Sequence, residues 1–136
     1  MPVEFELHDV RDFPIVRFQA HQVYKGCGDV WCAEMDILLA RDEPFALIYL
    51  PATREEDHED RKMRGIWLKA NKDALSGKCV ALVVVEPDNG KRAELAAMLP
   101  NLERAFGTPQ AARATQEEAE ALARHVLAGG TLADAT

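Results

Sequence analysis

Two short, wholly apolar runs stand out in an otherwise charged sequence. They span Phe45–Leu50 and Val80–Val85, and each is followed by a polar stretch and then by apolar residues at helical spacing. Continuous apolar runs of this length are typical of strands buried on both faces, as in a parallel sheet with crossover helices. We therefore expect these two strands to be adjacent, parallel and central in the sheet.

The N-terminal segment shows a different pattern, in which apolar and polar residues alternate. Val3, Phe5 and Leu7 alternate with two glutamates and a histidine, which is the period of a half-buried strand. A second strand is predicted from Pro14 to about Ala20. Because proline can start a strand but not lie inside a central one, we expect these two strands to form a hairpin at the sheet edge.

Helical spacing predicts the first two helices. The first follows the candidate N-cap Asp29 and carries Trp31 on its apolar face. The second begins at the capping-box spacing of Thr53–Glu56 and runs to about Leu75, with Trp67 on its apolar face. Core packing is the expected role of both tryptophans, and an anchor for a partner or ligand is the alternative.

The C-terminal half predicts two further helices. The third has an apolar stripe interrupted by Pro100, which predicts a kink or break; the stripe consists of Leu95, Leu99, Leu102 and Phe106. A poor strand is expected over residues 109–114, and a closing helix begins at Thr115. The whole pattern predicts an α/β fold with a mostly parallel four- to five-stranded sheet, an N-terminal hairpin and about four helices. Residues 1–128 form one domain in this interpretation, and residues 129–136 form a frayed C-terminal tail.

Composition narrows the function classes. The chain has 136 residues, 48% hydrophobic content and a formal net charge of -7, which suits one compact domain. An acidic protein lacks the basic surface that nucleic acids and anionic membranes require. The sequence has no apolar run long enough to span a membrane and no signal-peptide pattern, and it contains three cysteines. We therefore expect a cytoplasmic protein with no nucleic-acid partner and no membrane insertion.

No residue cluster reaches the specificity of a catalytic or metal motif. Cys27 and Cys32 lack a second pair of ligands that would complete a zinc site, and Cys79 stands alone. Ser76 lacks the glycine spacing of a nucleophile elbow. No catalytic residue, metal site or cofactor is predicted.

The best candidate site lies after the first apolar strand. Thr53, Arg54, His58 and Arg61 fall near its carboxyl end, where open α/β sheets bind ligands. These four residues are therefore the predicted ligand-binding residues. The alternative interpretation is a solvated helix face with ion pairs at i,i+4 spacing.

The order of elements resembles the SpoIIAA-like family, which is related to the STAS domain of anti-sigma-factor antagonists. The matching segments cover most of the chain and are 13–18, 34–40, 45–50, 65–72, 106–111 and 115–119. The resemblance implies strands in consecutive order with helices mainly on one face. It also implies a non-enzymatic partner-binding module, and related folds hold lipids or small apolar ligands.

One departure from that family concerns its phosphorylated serine. STAS switches carry an Asp-Ser pair after the central strand, whereas residues 51–58 contain no serine and Thr53 is their only hydroxyl. Five nearby acids would oppose a phosphate on Thr53, so we interpret Thr53 as an N-cap. The leading functional hypothesis is a non-enzymatic interaction or regulatory module. The alternatives are a carrier of a small apolar or lipid-like ligand and, last, an enzyme that uses His58.

A homodimer is also predicted. Both faces of both apolar strands are hydrophobic, and helices on one face alone would leave the other exposed. Soluble monomers seldom expose large apolar patches. A second chain, a ligand, or helices divided between both faces would each cover it.

Overall fold

The computed structural model describes residues 5–51 and 56–132. Its centre is a five-stranded mixed sheet with the strands in consecutive order. The strands are β1 (His8–Asp9), β2 (Ile15–Phe18), β3 (Phe45–Tyr49), β4 (Cys79–Val85) and β5 (Gln110–Arg113). β1 is antiparallel to β2, and every other neighbouring pair is parallel.

The described residues contain five α-helices and one 3-10 turn. The helices are α1 (Gly28–Ala40), α2 (His58–Ala70), α3 (Lys72–Lys78), α4 (Asn89–Phe106) and α5 (Gln116–Leu127), and the 3-10 turn is Ala20–Gln22. The α/β class is therefore confirmed. Among the described residues, none of the helices combines the length and the apolarity that crossing a membrane requires.

The central pair of strands is as predicted. β3 and β4 are adjacent and parallel, with Leu47 opposite Leu82 and Ile48 opposite Val83. All four side chains are buried. The continuous apolar runs are explained by helices that cover both sides of the sheet.

The N-terminal hairpin is confirmed, but its first strand lies later than predicted. Val3 is outside the described residues, and pairing with β2 begins at His8. The physical reason is the Glu34 carboxylate, which accepts the backbone N–H groups of Glu6 at 2.7 Å and His8 at 2.9 Å. It also accepts that of Leu7. A side chain of α1 therefore takes the hydrogen bonds that a neighbouring strand would otherwise make.

The predicted second helix is two helices. α2 begins at His58, and its N-cap is Asp57, whose side chain accepts the Glu59 N–H at 3.1 Å; the expected cap Thr53 lies outside the described residues. At Asn71 the side-chain amide donates to the Trp67 carbonyl at 3.0 Å. The Asn71 backbone leaves helical geometry at φ -109° and ψ 17°, so α2 ends there and α3 begins at Lys72.

Two other helix predictions need correction or remain open in part. The N-cap of α1 is Cys27, and Asp29 lies inside the first turn. α4 continues through Pro100, so the predicted break does not occur, whereas the alternative, a kink, stays a prediction. A proline leaves the carbonyl of the fourth residue before it without its helical hydrogen bond. Here that residue is Ala96, which is exposed.

Helices cover both faces of the sheet. One core joins Phe45 and Leu47 to α1, α2 and α3, and the other joins Ala46 and Ile48 to α5. α5 therefore covers the face that the dimer argument assumed to be open. The homodimer stays a prediction that the packing of the strands no longer favours.

Candidate ligand-binding site

Helix α4 buries its apolar stripe only in part. Leu99 is the only residue of α4 that is buried, while Leu95, Leu102 and Phe106 are half-buried. These three side chains line a cavity of about 370 Å³ between α4, α2 and the sheet. We call this cavity the inner pocket.

The wall of the inner pocket is almost wholly apolar. Leu82 and Val84 of β4 form its floor, and Leu68 of α2 and Leu75 of α3 form its sides. An apolar wall of this size is typical of small-molecule sites.

A second cavity of about 650 Å³ adjoins the inner pocket at the carboxyl ends of β2, β3 and β4. We call it the mouth. The two cavities share Tyr49, Arg61, Arg64 and Val84. The site therefore combines a polar entrance at the sheet edge with an apolar interior.

Arg64 is the central polar residue of the entrance. Its Nη2 donates to Glu56 Oε1, and its guanidinium carbon lies 5.5 Å from the ring centroids of both Phe18 and Trp31. Burial alone would lower the pKa of Arg64, but the nearby Tyr49 and Glu56 outweigh it and raise that pKa. Arg64 therefore stays cationic, and its Nε has no hydrogen-bond partner among the described residues.

The mouth carries an excess of positive charge. Arg61, Arg64 and Lys91 face it, against the two carboxylates Glu56 and Glu86. This local excess lies in a chain whose formal net charge is -7. The field at the entrance therefore favours an anion.

Contacts between α1 and α2 fix the position of Arg64. One turn before it, the Asp60 carboxylate accepts the N–H groups of Gly26 at 2.8 Å and Gly28 at 3.0 Å. A Cβ on Gly28 would lie 3.0 Å from Asp60 Oδ1, so glycine allows this close approach. One turn after Arg64, Trp67 Nε1 donates to Asp36 at 2.9 Å.

Gly65 leaves space at the wall of the inner pocket. It lies in the middle of α2, lines the pocket, and a Cβ built on it would meet no atom within 4 Å. Glycine inside a helix is unfavourable by about 1 kcal/mol relative to alanine. The sequence therefore has a poor helix former at a point where a larger side chain would narrow the cavity.

Among the four predicted site residues, the described part of the structure brings only Arg61 to the two cavities. His58 is exposed on the first turn of α2 and lines neither cavity, whereas Thr53 and Arg54 lie outside the described residues. Arg64 and Tyr49 were not predicted as site residues. Arg64 lies three residues before Trp67 on the apolar face of a helix, and an arginine at such a position could have indicated a site.

The cysteines form no metal centre in the described part of the chain. Residues 5–51 and 56–132 contain no group of three or more His, Cys, Asp or Glu side chains that could hold a metal ion. Cys27 and Cys79 are buried, and Cys32 is half-buried. Burial raises the pKa of Cys79 to about 12, so this group is a thiol at neutral pH.

Comparison with known proteins gives no match. No family model matches the chain, and neither a curated protein nor a solved structure is significantly similar to it. The resemblance to the SpoIIAA-like family therefore stays a prediction, and the functional argument depends on the site itself.

Proposed function

We propose that the protein is a non-enzymatic binding module for a small amphiphilic anion, with its apolar body in the inner pocket and its anionic group at the mouth. The observation that carries the proposal is the position of Leu95, Leu102 and Phe106, which line a cavity that Arg64 bounds at its open end. This develops the predicted role of a carrier or binder of a small lipid-like ligand.

The volume of the inner pocket sets the size of the ligand. Liquid water occupies about 30 Å³ per molecule, so 370 Å³ accommodates about a dozen non-hydrogen atoms. α4 lines the pocket from Leu95 to Phe106, which at 1.5 Å per residue is about 16 Å. A long, narrow apolar ligand such as a medium-chain acyl group suits both dimensions.

The entrance determines the polar group. Arg64 Nε is an unpartnered donor, and no ion pair involves Arg61 or Lys91 within the described ranges. A carboxylate accepts hydrogen bonds from an arginine more strongly than a neutral group does. A fatty-acid-like carboxylate is therefore favoured over a neutral or cationic amphiphile.

The other predicted roles receive less support. His58, on which an enzymatic role depended, lies outside both cavities. Membership of the SpoIIAA-like family stays a proposal. A protein-binding regulatory role also stays a proposal, and no particular surface of the described residues favours it.

Isothermal titration calorimetry tests the proposal with two probes of equal chain length, decanoate and decylammonium. We expect decanoate to bind at least tenfold more tightly, because the mouth has an excess of positive charge. Absence of decanoate binding, or equal affinity for both probes, would contradict the proposal.

Matched variants show whether the pocket is the binding site. Arg64→Gln should weaken decanoate binding by about tenfold or more. Arg61→Gln, at an exposed position, should also weaken it. Lys69→Gln removes the same charge from an exposed position of α2 outside both cavities and should leave affinity within twofold. Equal losses in all three variants would indicate non-specific attraction. Arg61→Gln keeps the test valid if Arg64→Gln does not fold.

A further inference from the structure

Thr108 is a buried polar residue whose hydroxyl has no hydrogen-bond partner among the described residues. It is 1% exposed, and it lines the inner pocket. A buried hydroxyl without a hydrogen-bond partner is unfavourable, because it loses its bonds to water and gains none in return. Such groups are rare in folded proteins and call for a physical explanation.

Thr108 lies at the opposite end of the pocket from Arg64. Its chain position is just before β5, whose first residue Gln110 lies opposite Leu82. The entrance residue Tyr49 is further along the parallel strands, opposite Val84. The hydroxyl is therefore at the amino ends of the strands, and the mouth is at their carboxyl ends.

The surroundings of Thr108 in the pocket are mostly apolar. Leu75 in the middle of α3 and Phe106 at the end of α4 line the same cavity. The side chain of Gln110 also lines it and supplies a second polar group at this end. A ligand with a methyl end here would leave the hydroxyl unpaired, whereas a hydroxyl on the ligand would satisfy it.

We infer that the preferred ligand carries a hydrogen-bonding group, such as a hydroxyl, at the end opposite its anionic group, and that Thr108 binds it. The inference depends on the proposed function, because it assigns the second end of the same ligand. Its chemical class is an ω-hydroxylated medium-chain carboxylate, and a plain fatty acid is a weaker ligand.

Calorimetry with decanoate and 10-hydroxydecanoate tests this inference. We expect the wild-type protein to bind the hydroxy acid about tenfold more tightly, which is the effect of about 1.4 kcal/mol. Thr108→Val should abolish this preference, and Thr108→Ser, which keeps the hydroxyl, should retain part of it. Both variants should still bind decanoate.

The possible failures are distinguishable. If both acids bind wild-type protein with equal affinity, Thr108 does not select the ligand, and this inference is wrong while the proposed function stands. A preference that persists in Thr108→Val would also overturn it. If neither acid binds, both the inference and the proposed function are wrong.

Discussion

The guanidinium carbon of Arg64 lies 5.5 Å from the centroid of the Trp31 ring, and Trp31 in turn packs edge-on against Trp67 at 5.4 Å. A cation held against aromatic rings away from water gains about 2 kcal/mol. The charged group at the mouth is therefore anchored in the core before any ligand arrives. Preorganisation of this kind lowers the entropic cost of binding.

Replacement of Gly65 separates the stability of α2 from the space in the pocket. Gly65→Ala should raise the free energy of unfolding by about 0.5–1 kcal/mol, because alanine is the better helix former. Gly65→Leu should also keep the protein folded, but its side chain would extend into the inner pocket and weaken decanoate binding at least tenfold. Chemical denaturation and calorimetry measure the two effects.

Gly77→Ala is the matched control for Gly65. Gly77 lies in α3, is exposed, and has open space where a Cβ would be, but it does not line the pocket. Its replacement should stabilise the protein similarly and leave ligand affinity unchanged. Wild-type affinity in Gly65→Leu would show that the inner pocket is not the binding site.

Trp67 and its neighbour Ile66 provide a paired test of packing. Trp67 is 8% exposed and Ile66 is 61% exposed. Trp67→Ala should lower the free energy of unfolding by about 3–5 kcal/mol, because it leaves a cavity beside Trp31. Ile66→Ala should change it by less than about 0.5 kcal/mol. Similar values for both variants, measured by urea denaturation, would contradict the assignment of the buried face of α2.

The buried pair His8 and Glu34 predicts a loss of stability in mild acid. His8 Nδ1 lies 2.7 Å from Glu34 Oε1, while Nε2 has no hydrogen-bond partner among the described residues. Burial lowers the pKa of His8 below its ordinary 6.5, although Glu34 opposes the shift. For Glu34, burial raises the pKa, but the bonds from His8 and Glu6 outweigh it and lower that pKa.

The sign of the pH effect follows from the two directions. Below pH 6.5 His8 binds a proton more readily in the unfolded state than in the folded state. The folded state is therefore less stable as the pH falls. The slope for one group is at most about 1.4 kcal/mol per pH unit. Glu34 adds a further loss only below its unfolded pKa of 4.5.

The variant His8→Asn isolates this contribution. The asparagine amide can still donate to Glu34 but does not titrate. We expect the fall in unfolding free energy between about pH 6.5 and pH 5 to be smaller in the variant than in the wild type. An identical fall in both proteins would show that His8 is not the responsible group.

The fold was predictable where local pattern and packing agree. The apolar runs at 45–50 and 80–85 identify the two central strands because only strands buried on both faces tolerate such continuity. The division of α2 from α3 was not predictable, since Ala70 and Ala74 continue the helical spacing of apolar residues across Asn71.

The sequence indicates where the two cavities lie but not which residues line them. The carboxyl end of β3 was the expected position, and Arg61 is part of it. The apolar stripe of α4 has the spacing of an ordinary core-facing helix. The spacing of apolar residues along the sequence does not show how far α4 lies from β4. The inner pocket depends on that tertiary distance.

An NMR titration of uniformly ¹⁵N-labelled protein with decanoate is the most direct test of the central claim. We expect saturable amide shifts concentrated at the inner pocket, at Gly65, Leu102 and Thr108, and small shifts on α5, which covers the opposite face of the sheet. Saturable shifts confined to α5, or no saturable shifts at all, would contradict a ligand site between α2 and α4.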